Sequence, residues 1–376
     1  MGYARCVMPD KISESSRELI ALLMVPGLGP KKIVSLLEKN DSTNFCKDSN
    51  LKEDLFATEN INYEILRIKK SKEYLDELEY IEKSGIKVKS YKDDGYPPLL
   101  KNIYDFPPVI FVKGILKDED SNAIAVIGSR KCSFYGRETA ERFSFELASM
   151  GVTIVSGMAS GIDMVAHRGA LKSGGRTIAV IGSGFKNIYP KEAEKIIDKV
   201  LENGAVITEF LSSEQPLARN FPRRNRIISG ISKGVLVIEA ALKSGSLITS
   251  NFALEQGREV FAVPGKIDSF TSAGTNELIK NGAKMVTRVE DIIEELDLGI
   301  NEEKKIDKIC DKESSMVYCL TVEEKKVLSV INKTGIEIEE IIFKTGISNR
   351  EICGILLGLE LKKIVVLSPG GKYRKI

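Results

Sequence analysis

Four arginines fall within eight residues in Arg219-Asn220-Phe221-Pro222-Arg223-Arg224-Asn225-Arg226. A guanidinium stays charged, grips a phosphate through two parallel hydrogen bonds and stacks on bases. Phe221 adds a flat apolar face on which an unpaired base can stack. Together these side chains suit a ligand that carries both phosphates and exposed bases. A solvated helix start can carry the same charge run, but Ile227 and Ile228 follow at once and tie the segment to a core.

Glycine- and serine-rich stretches recur just after short apolar runs. Gly128-Ser129-Arg130 follows the first run, and Ser156-Gly157 through Asp163 follows the second. Gly182-Ser183-Gly184 follows the third, with Tyr189-Pro190-Lys191 opening the next helix. Glu239 and then Lys243-Ser244-Gly245-Ser246 follow the fifth. Glycine lets an anion approach the backbone, and helix starts offer free N–H donors to phosphate. Arg130 and Lys191 add charge. A single loop of this kind is as readily a plain turn; several converging on one edge favour a phosphate-type ligand.

Catalytic patterns are weak. The phosphate loop GxxxxGK[ST] is absent, and Gly128-Ser129-Arg130-Lys131-Cys132-Ser133 lacks the GxGxxG of a dinucleotide site. His167 stands four residues after Asp163 on one helix face, where it could act as a general base; a histidine that caps or packs in the helix is the preferred reading. Glu209 and Glu239 end strands on the same edge; ion pairs with the arginines are the preferred reading over a hydrolytic pair. The cysteines form no CxxC pair and His167 is the only histidine, so no metal site and no cofactor are expected.

The elements that must position these residues follow from periodicity. Residues 11 to about 90 read as mostly helical: Ile20, Leu23 and Met24 are spaced i, i+3, i+4, and Tyr74, Leu75, Leu78 and Ile81 continue such a stripe. Between them Pro26-Gly27-Leu28-Gly29-Pro30-Lys31-Lys32 is similar to a helix-hairpin-helix turn, which aims backbone N–H groups at a DNA phosphate; a plain helical hairpin has the same pattern. Val109–Val112 reads as a short strand. From Ala123 onward, apolar runs at 123–127, 152–155, 177–181, 205–208, 235–238, 259–263 and 283–286 alternate with helical patterns. Such βαβ repetition predicts a doubly wound parallel sheet, with ligands beyond the carboxyl ends of its strands. The charged stretch from Asn301 to about Ser315 reads as a linker. Three helical patterns and a hairpin after Val317 describe a winged-helix module, whose second helix is apolar enough to favour a protein contact or intramolecular docking over reading a duplex.

The net charge is only +2, so a polyanion site must be a local cluster of cations. Met1 to Ile20 lacks the apolar core of a signal peptide, and no apolar run approaches the roughly 20 residues that span a bilayer. A cytoplasmic protein with no membrane partner is expected.

The stretches Ala125-Val126-Ile127-Gly128-Ser129-Arg130, Ser156-Gly157 to His167 and Phe221-Pro222-Arg223-Arg224-Asn225-Arg226-Ile227-Ile228-Ser229-Gly230 resemble the DNA-processing protein A (DprA/Smf) family. So do Ser244-Gly245-Ser246-Leu247-Ile248-Thr249, Gly257-Arg258-Glu259-Val260, Val263-Pro264-Gly265 and Gly274-Thr275-Asn276. The match runs from about Tyr96 to Leu296. Thr208-Glu209-Phe210 departs from the family's Ser-Glu-Tyr, and Arg223 adds a charge at a variable position.

The resemblance implies an α/β protein with an extended Rossmann-like parallel sheet domain over 96–298. It also implies an N-terminal helical domain of SAM or helix-hairpin-helix type over 1–95 and, after a linker over 299–316, a winged helix over 317–376. It implies a protein without enzymatic activity that binds single-stranded DNA, forms a homodimer through the Rossmann-like domain and loads RecA in natural transformation. Arg130 and Lys191 would then hold backbone phosphates, with Arg224, Asn225 and Arg226 in the same pocket. The full expected nucleic-acid site is Gly128, Ser129, Arg130, Ser156, Gly157, Gly182, Lys191, Phe221, Arg223, Arg224, Asn225, Arg226, Lys243 and Ser246. The rival reading is an enzyme acting on nucleoside monophosphates. Gly274-Thr275-Asn276-Glu277 is similar to the Gly-Thr and Glu loops of such enzymes, with Glu277 as the catalytic carboxylate. A scaffold with no ligand fits the clustered cations least.

Overall fold

The structure is a computed structural model that describes residues 12–39, 55–296, 298, 322–331, 335–361, 364–368 and 371–375. The stretch read as a linker, 299–316, lies outside the described residues. The chain divides into two compact units, Met1–Ile300 and Asn301–Ile376.

In the first unit two antiparallel strands, β1 (Lys87–Ser90) and β2 (Val109–Gly114), precede β3 (Ala123–Ile127), β4 (Thr153–Ser156), β5 (Thr177–Val180), β6 (Gly204–Thr208), β7 (Gly234–Val237), β8 (Glu259–Ala262) and β9 (Lys284–Met285). They form one sheet in the order β1-β2-β6-β5-β4-β3-β7-β8-β9. All neighbours from β6 to β9 are parallel, and β2 joins β6 antiparallel. Alternation along each strand explains the double winding. Ala123, Ala125 and Ile127 enter one core cluster while Ile124 and Val126 enter the other; Val235 and Val237 divide from Leu236 and Ile238 in the same way. A strand whose two faces are both apolar needs helices on both sides.

Phe134–Ser149 and Ile162–Lys172 cover the face of Ile124 and Val126, through Phe143, Leu147, Ala166 and Ala170. Glu194–Glu202, Asn220–Gly230 and Gly245–Glu255 cover the other, through Ile196, Val200, Ile227, Ile228 and Ala253. Chain direction across the sheet reverses at β3, which lies between β4 and β7. A crevice opens at such a switch point, beyond the carboxyl ends of the strands.

The helices Glu14–Met24, Pro30–Lys39, Leu55–Lys69 and Lys72–Ser84 precede the sheet. Side-chain oxygens of Ser13 and Ser71 cap the first and fourth by accepting N–H bonds from Ser16 and Tyr74. Their apolar stripe, including Ile20, Leu22, Ile33, Ile65 and Ile81, joins the same cluster as Val180 and Ile207 of the sheet. Buried Glu77 accepts hydrogen bonds from the Ser212 backbone N–H (2.7 Å) and hydroxyl, and Lys92 Nζ donates to the Leu37 carbonyl at 2.7 Å. The helical region and the sheet therefore share one core. The mostly helical reading of residues 11–90 passes over β1. That strand is four residues long and puts Lys87 and Lys89 on a sheet edge, a common way to block further pairing.

The second unit contains helices Val322–Val330, Ile338–Thr345 and Asn349–Leu361 and strands β10 (Ile336–Glu337), β11 (Val365–Ser368) and β12 (Lys372–Lys375). The strands pair antiparallel in the order β10-β12-β11. Val327, Ile331, Ile341, Ile352, Leu356 and Val365 form its core.

Candidate nucleic-acid interface

At the switch point the loops after β3, β4 and β7 and the start of helix Asn220–Gly230 enclose a crevice of about 1040 Å³. Gly128, Ser129, Arg130, Phe221, Arg224, Asn225 and Ser246 line it, as the sequence reading expects of one site. The β3 loop is fixed from two sides. The Ser129 N–H donates to the Glu239 carbonyl at 2.7 Å, and the Ile162 N–H donates to the Ser129 carbonyl at 3.2 Å. Gly161 must be glycine there: its φ is +86°, and a Cβ would meet the carbonyl oxygens of Ser129 at 2.3 Å and Arg130 at 2.6 Å.

Phe221 is the centre of the site. Its ring lies so close to Gly182 that a Cβ there would stand 3.0 Å from Cδ1. The Arg130 guanidinium lies 5.2 Å from the ring centroid and that of Arg224 lies at 6.0 Å. The ring of Tyr189 lies 6.2 Å away, tilted by 58°. Phe270, 79% exposed, and Lys131 stand on the rim. The arrangement offers flat apolar faces beside exposed cations, which suits bases and phosphates together.

Sequence reasoning missed Tyr189, Phe270, Lys131 and Thr249 as lining residues. Tyr189 carried a signal, because it precedes the Pro-Lys pair that the reading singled out. Phe270 stands in a polar stretch of no period, and only its being an aromatic among Ser and Thr marks it.

Beneath the crevice lies a buried polar floor. Arg224 is 4% exposed and donates to the carbonyls of Gly157 and Val180. Burial brings its pKa down to about 10, still charged at neutral pH. Asp163 accepts from the Gly157 N–H at 3.1 Å. Desolvation raises its pKa, and Arg224 and backbone N–H donors act against that rise. Ser156 is fully buried and its hydroxyl donates to the Val126 carbonyl at 2.7 Å. Ser156 and Gly157 thus brace the floor rather than line the crevice.

His167 is also part of this floor. The Thr177 hydroxyl donates to the Ile154 carbonyl at 2.8 Å, so it accepts from His167 Nδ1–H at 2.7 Å. Nε2 is buried without a partner. Burial, reinforced by Arg224, pushes the pKa from 6.5 to about 3. A neutral, sealed imidazole is a core group, not a general base. Above pH 6.5 it is neutral folded or unfolded and contributes nothing; as pH falls towards about 3 only the unfolded chain gains the proton, and stability is lost. Asp163 and Glu209, whose pKa values are raised, act in the opposite direction, so the test compares wild type with His167→Asn. Urea unfolding should show the wild type losing about 1.4 kcal/mol more than the variant between pH ~7.5 and ~5.5. Parallel pH profiles would show that the imidazole takes up protons in the folded state.

The arginine run does not act as one cluster. Phe221, Arg224, Asn225 and Ile228 face the crevice, spaced i, i+3, i+4, i+7. Arg223 and Arg226 face a second cavity on the other side of the helix. There the Glu209 carboxylate takes Arg226 at 2.5 Å and Arg223 at 3.5 Å, and Arg226 Nε reaches Asp105 at 3.3 Å. Lys191 and Lys243 are exposed and outside the residues that line the crevice.

Glu239 departs from the expected ion pair with arginine. It accepts the Ser133 N–H at 2.8 Å and the Thr271 hydroxyl at 2.6 Å, at the start of helix Phe134–Ser149. Gly274-Thr275-Asn276 is a brace, not a phosphate loop: Asn276 exchanges two 3.1 Å hydrogen bonds with the backbone of Gly265. Glu277, the carboxylate that the enzymatic reading requires, is exposed and reaches Lys280 at 3.9 Å and Asn281 at 3.4 Å, away from the crevice.

Residues 87–297 match the family described as DNA recombination-mediator protein A. The chain is 42% identical over 285 residues to Protein Smf of Escherichia coli, covering 74% of this chain and 75% of that protein. It is 46% identical over 208 residues to DNA processing protein DprA of Streptococcus pneumoniae, covering 55% and 73%. The X-ray structure of DNA processing protein A from Streptococcus pneumoniae aligns with a TM-score of 0.60 at 36% identity, over 76% of this chain and 99% of that one. A structure of DNA processing protein A from Helicobacter pylori, described for its single-stranded DNA binding mode, aligns with a TM-score of 0.51 at 28% identity, over 57% and 98%. The chain belongs to the DNA recombination-mediator protein A family, the DprA/Smf proteins.

Proposed function

We infer that this protein binds single-stranded DNA in the crevice at the switch point of its sheet. One observation carries the reading: the half-buried ring of Phe221 rests on Gly182 with the Arg130 guanidinium 5.2 Å from its centroid. An unpaired base stacks on the aromatic faces of Phe221, Tyr189 and Phe270, while Arg130 and Lys131 neutralise the flanking phosphates. A duplex keeps its bases stacked inside and cannot use those faces. The single-strand binding described for the Helicobacter pylori relative supports the same ligand.

The finer role follows from that chemistry and from the family. The protein protects single strands during natural transformation and hands them to RecA as a loading factor, without catalysing a reaction. It works in the cytoplasm, and no helix among the described residues is long and apolar enough to cross a membrane. A homodimer through the Rossmann-like domain would offer two crevices to one strand and raise affinity through effective concentration. The second unit, three helices with a small antiparallel sheet, is best read as a winged helix that contacts protein.

The test is fluorescence anisotropy with a labelled oligonucleotide, single-stranded against duplex, across a salt series. Binding should favour the single strand, and its logarithm should fall with log salt by about 0.7 per phosphate contact. Equal affinity for duplex, or affinity indifferent to salt, would refute the reading.

A further inference from the structure

A second cavity of about 900 Å³ lies on the far side of helix Asn220–Gly230, between that helix and the turn Gly27-Leu28-Gly29-Pro30. Pro222 lines both this groove and the crevice, so one residue forms the ridge between them. The groove repeats the pairing of cation with aromatic ring seen around Phe221. Arg223 stands 5.2 Å from the Phe210 centroid, and Lys31 Nζ stands 3.6 Å from that of Tyr104, a ring 87% exposed. Lys31 and Lys32 follow Pro30 in the first turn of the ten-residue helix Pro30–Lys39. Pro30 has no N–H and the Ile33 N–H donates to the Gly29 carbonyl at 3.1 Å, so the N–H groups of the first turn without an intrahelical acceptor are those of the two lysines. Four cations line the groove against three carboxylates. Arg226 engages Glu209 and Asp105, Arg223 stands 3.5 Å from Glu209, and Glu214 accepts from Asn220 at 3.1 Å, so the groove's carboxylates are held by residues other than Lys31 and Lys32.

We propose that this groove is a second subsite for the same single strand, which leaves the crevice over Pro222 and lays further phosphates along Arg223, Lys31 and Lys32. The inference rests on the reading of the crevice as a single-strand site. It extends that site onto the N-terminal helical turn. Charge and continuity through Pro222 favour this occupant over a peptide, which would have no reason to begin at the crevice.

The experiment measures anisotropy with oligothymidylates of about five and about fifteen nucleotides, lengths at the two ends of a typical single-strand footprint. Wild type is compared with the double variant Lys31→Glu/Lys32→Glu. The short strand should bind both proteins alike, which also shows that the variant is folded. The long strand should lose about tenfold in affinity and about 1.4 in salt slope, the value for two phosphate contacts. Unchanged binding of the long strand would overturn the second subsite while the crevice stands. If the wild type binds neither strand, the crevice reading itself falls, and the groove with it. Equal losses for both lengths would place the lysines at the crevice strand and overturn the path over Pro222.

Discussion

Arg224→Ala should destabilise the fold by about 3–5 kcal/mol, the cost of removing one partner from a buried charged network. Arg224 is buried, and its guanidinium donates to the carbonyls of Gly157 and Val180, which end β4 and β5 beneath the crevice. Alanine leaves both carbonyls without that donor and leaves the buried carboxylate of Asp163 without the cation that most opposes its desolvation. Both bonds come from the one nitrogen Nη1, so Arg224→Lys, whose ammonium carries three donors and keeps the charge beside Asp163, should restore part of the loss. Arg224→Met, which fills the volume and removes the charge, still strands Asp163. Urea unfolding should show the loss directly, whereas Arg130→Ala, at an exposed residue, should keep the wild-type midpoint. An Arg224→Ala protein with a wild-type midpoint and lost DNA affinity would mean that the guanidinium serves the ligand and not the floor.

That contrast divides residues which look equivalent in the sequence. The run from Arg219 to Arg226 reads as one cluster because its composition is uniform. Helical periodicity, equally present in the sequence, separates it: Phe221, Arg224, Asn225 and Ile228 share one face, and Arg223 and Arg226 lie on the other. What periodicity does not give is depth. Nothing local distinguishes the buried Arg224 from the exposed Arg223, because burial is set by β4 and β5, which come from elsewhere in the chain.

The sheet was more legible. The parallel strands β3 to β7 are buried along their whole length, so their apolar runs are continuous, and all seven parallel strands fall within the runs read from the sequence, give or take a residue. β1 escaped because half of its four residues are lysine. Glu239 escaped for a different reason. Its partners Ser133 and Thr271 are distant in sequence, and a carboxylate that caps a backbone N–H leaves no pattern of its own.

Phe221→Ala should weaken single-strand binding by roughly 1–3 kcal/mol, the range for losing one base–aromatic stack. The loss should be similar for all sequences, since every base has a flat face. Arg130→Ala should reduce the salt slope by about 0.7, one phosphate contact. The two effects should not add. The Arg130 guanidinium lies 5.2 Å from the ring, so removing the ring also frees the arginine from the platform that orients it. A double-mutant cycle read by anisotropy should give a coupling of about 0.5–1 kcal/mol, as for a cation over a ring at an exposed site. Gly182→Ala supplies an independent probe. Its Cβ would stand 3.0 Å from Phe221 Cδ1, so the ring must shift by a few tenths of an ångström, and affinity should fall with little change in stability. Strict additivity would mean that ring and guanidinium meet the strand separately. Full affinity in Phe221→Ala would mean that bases stack instead on Tyr189 and Phe270, and that the ring merely fills the space beside Gly182.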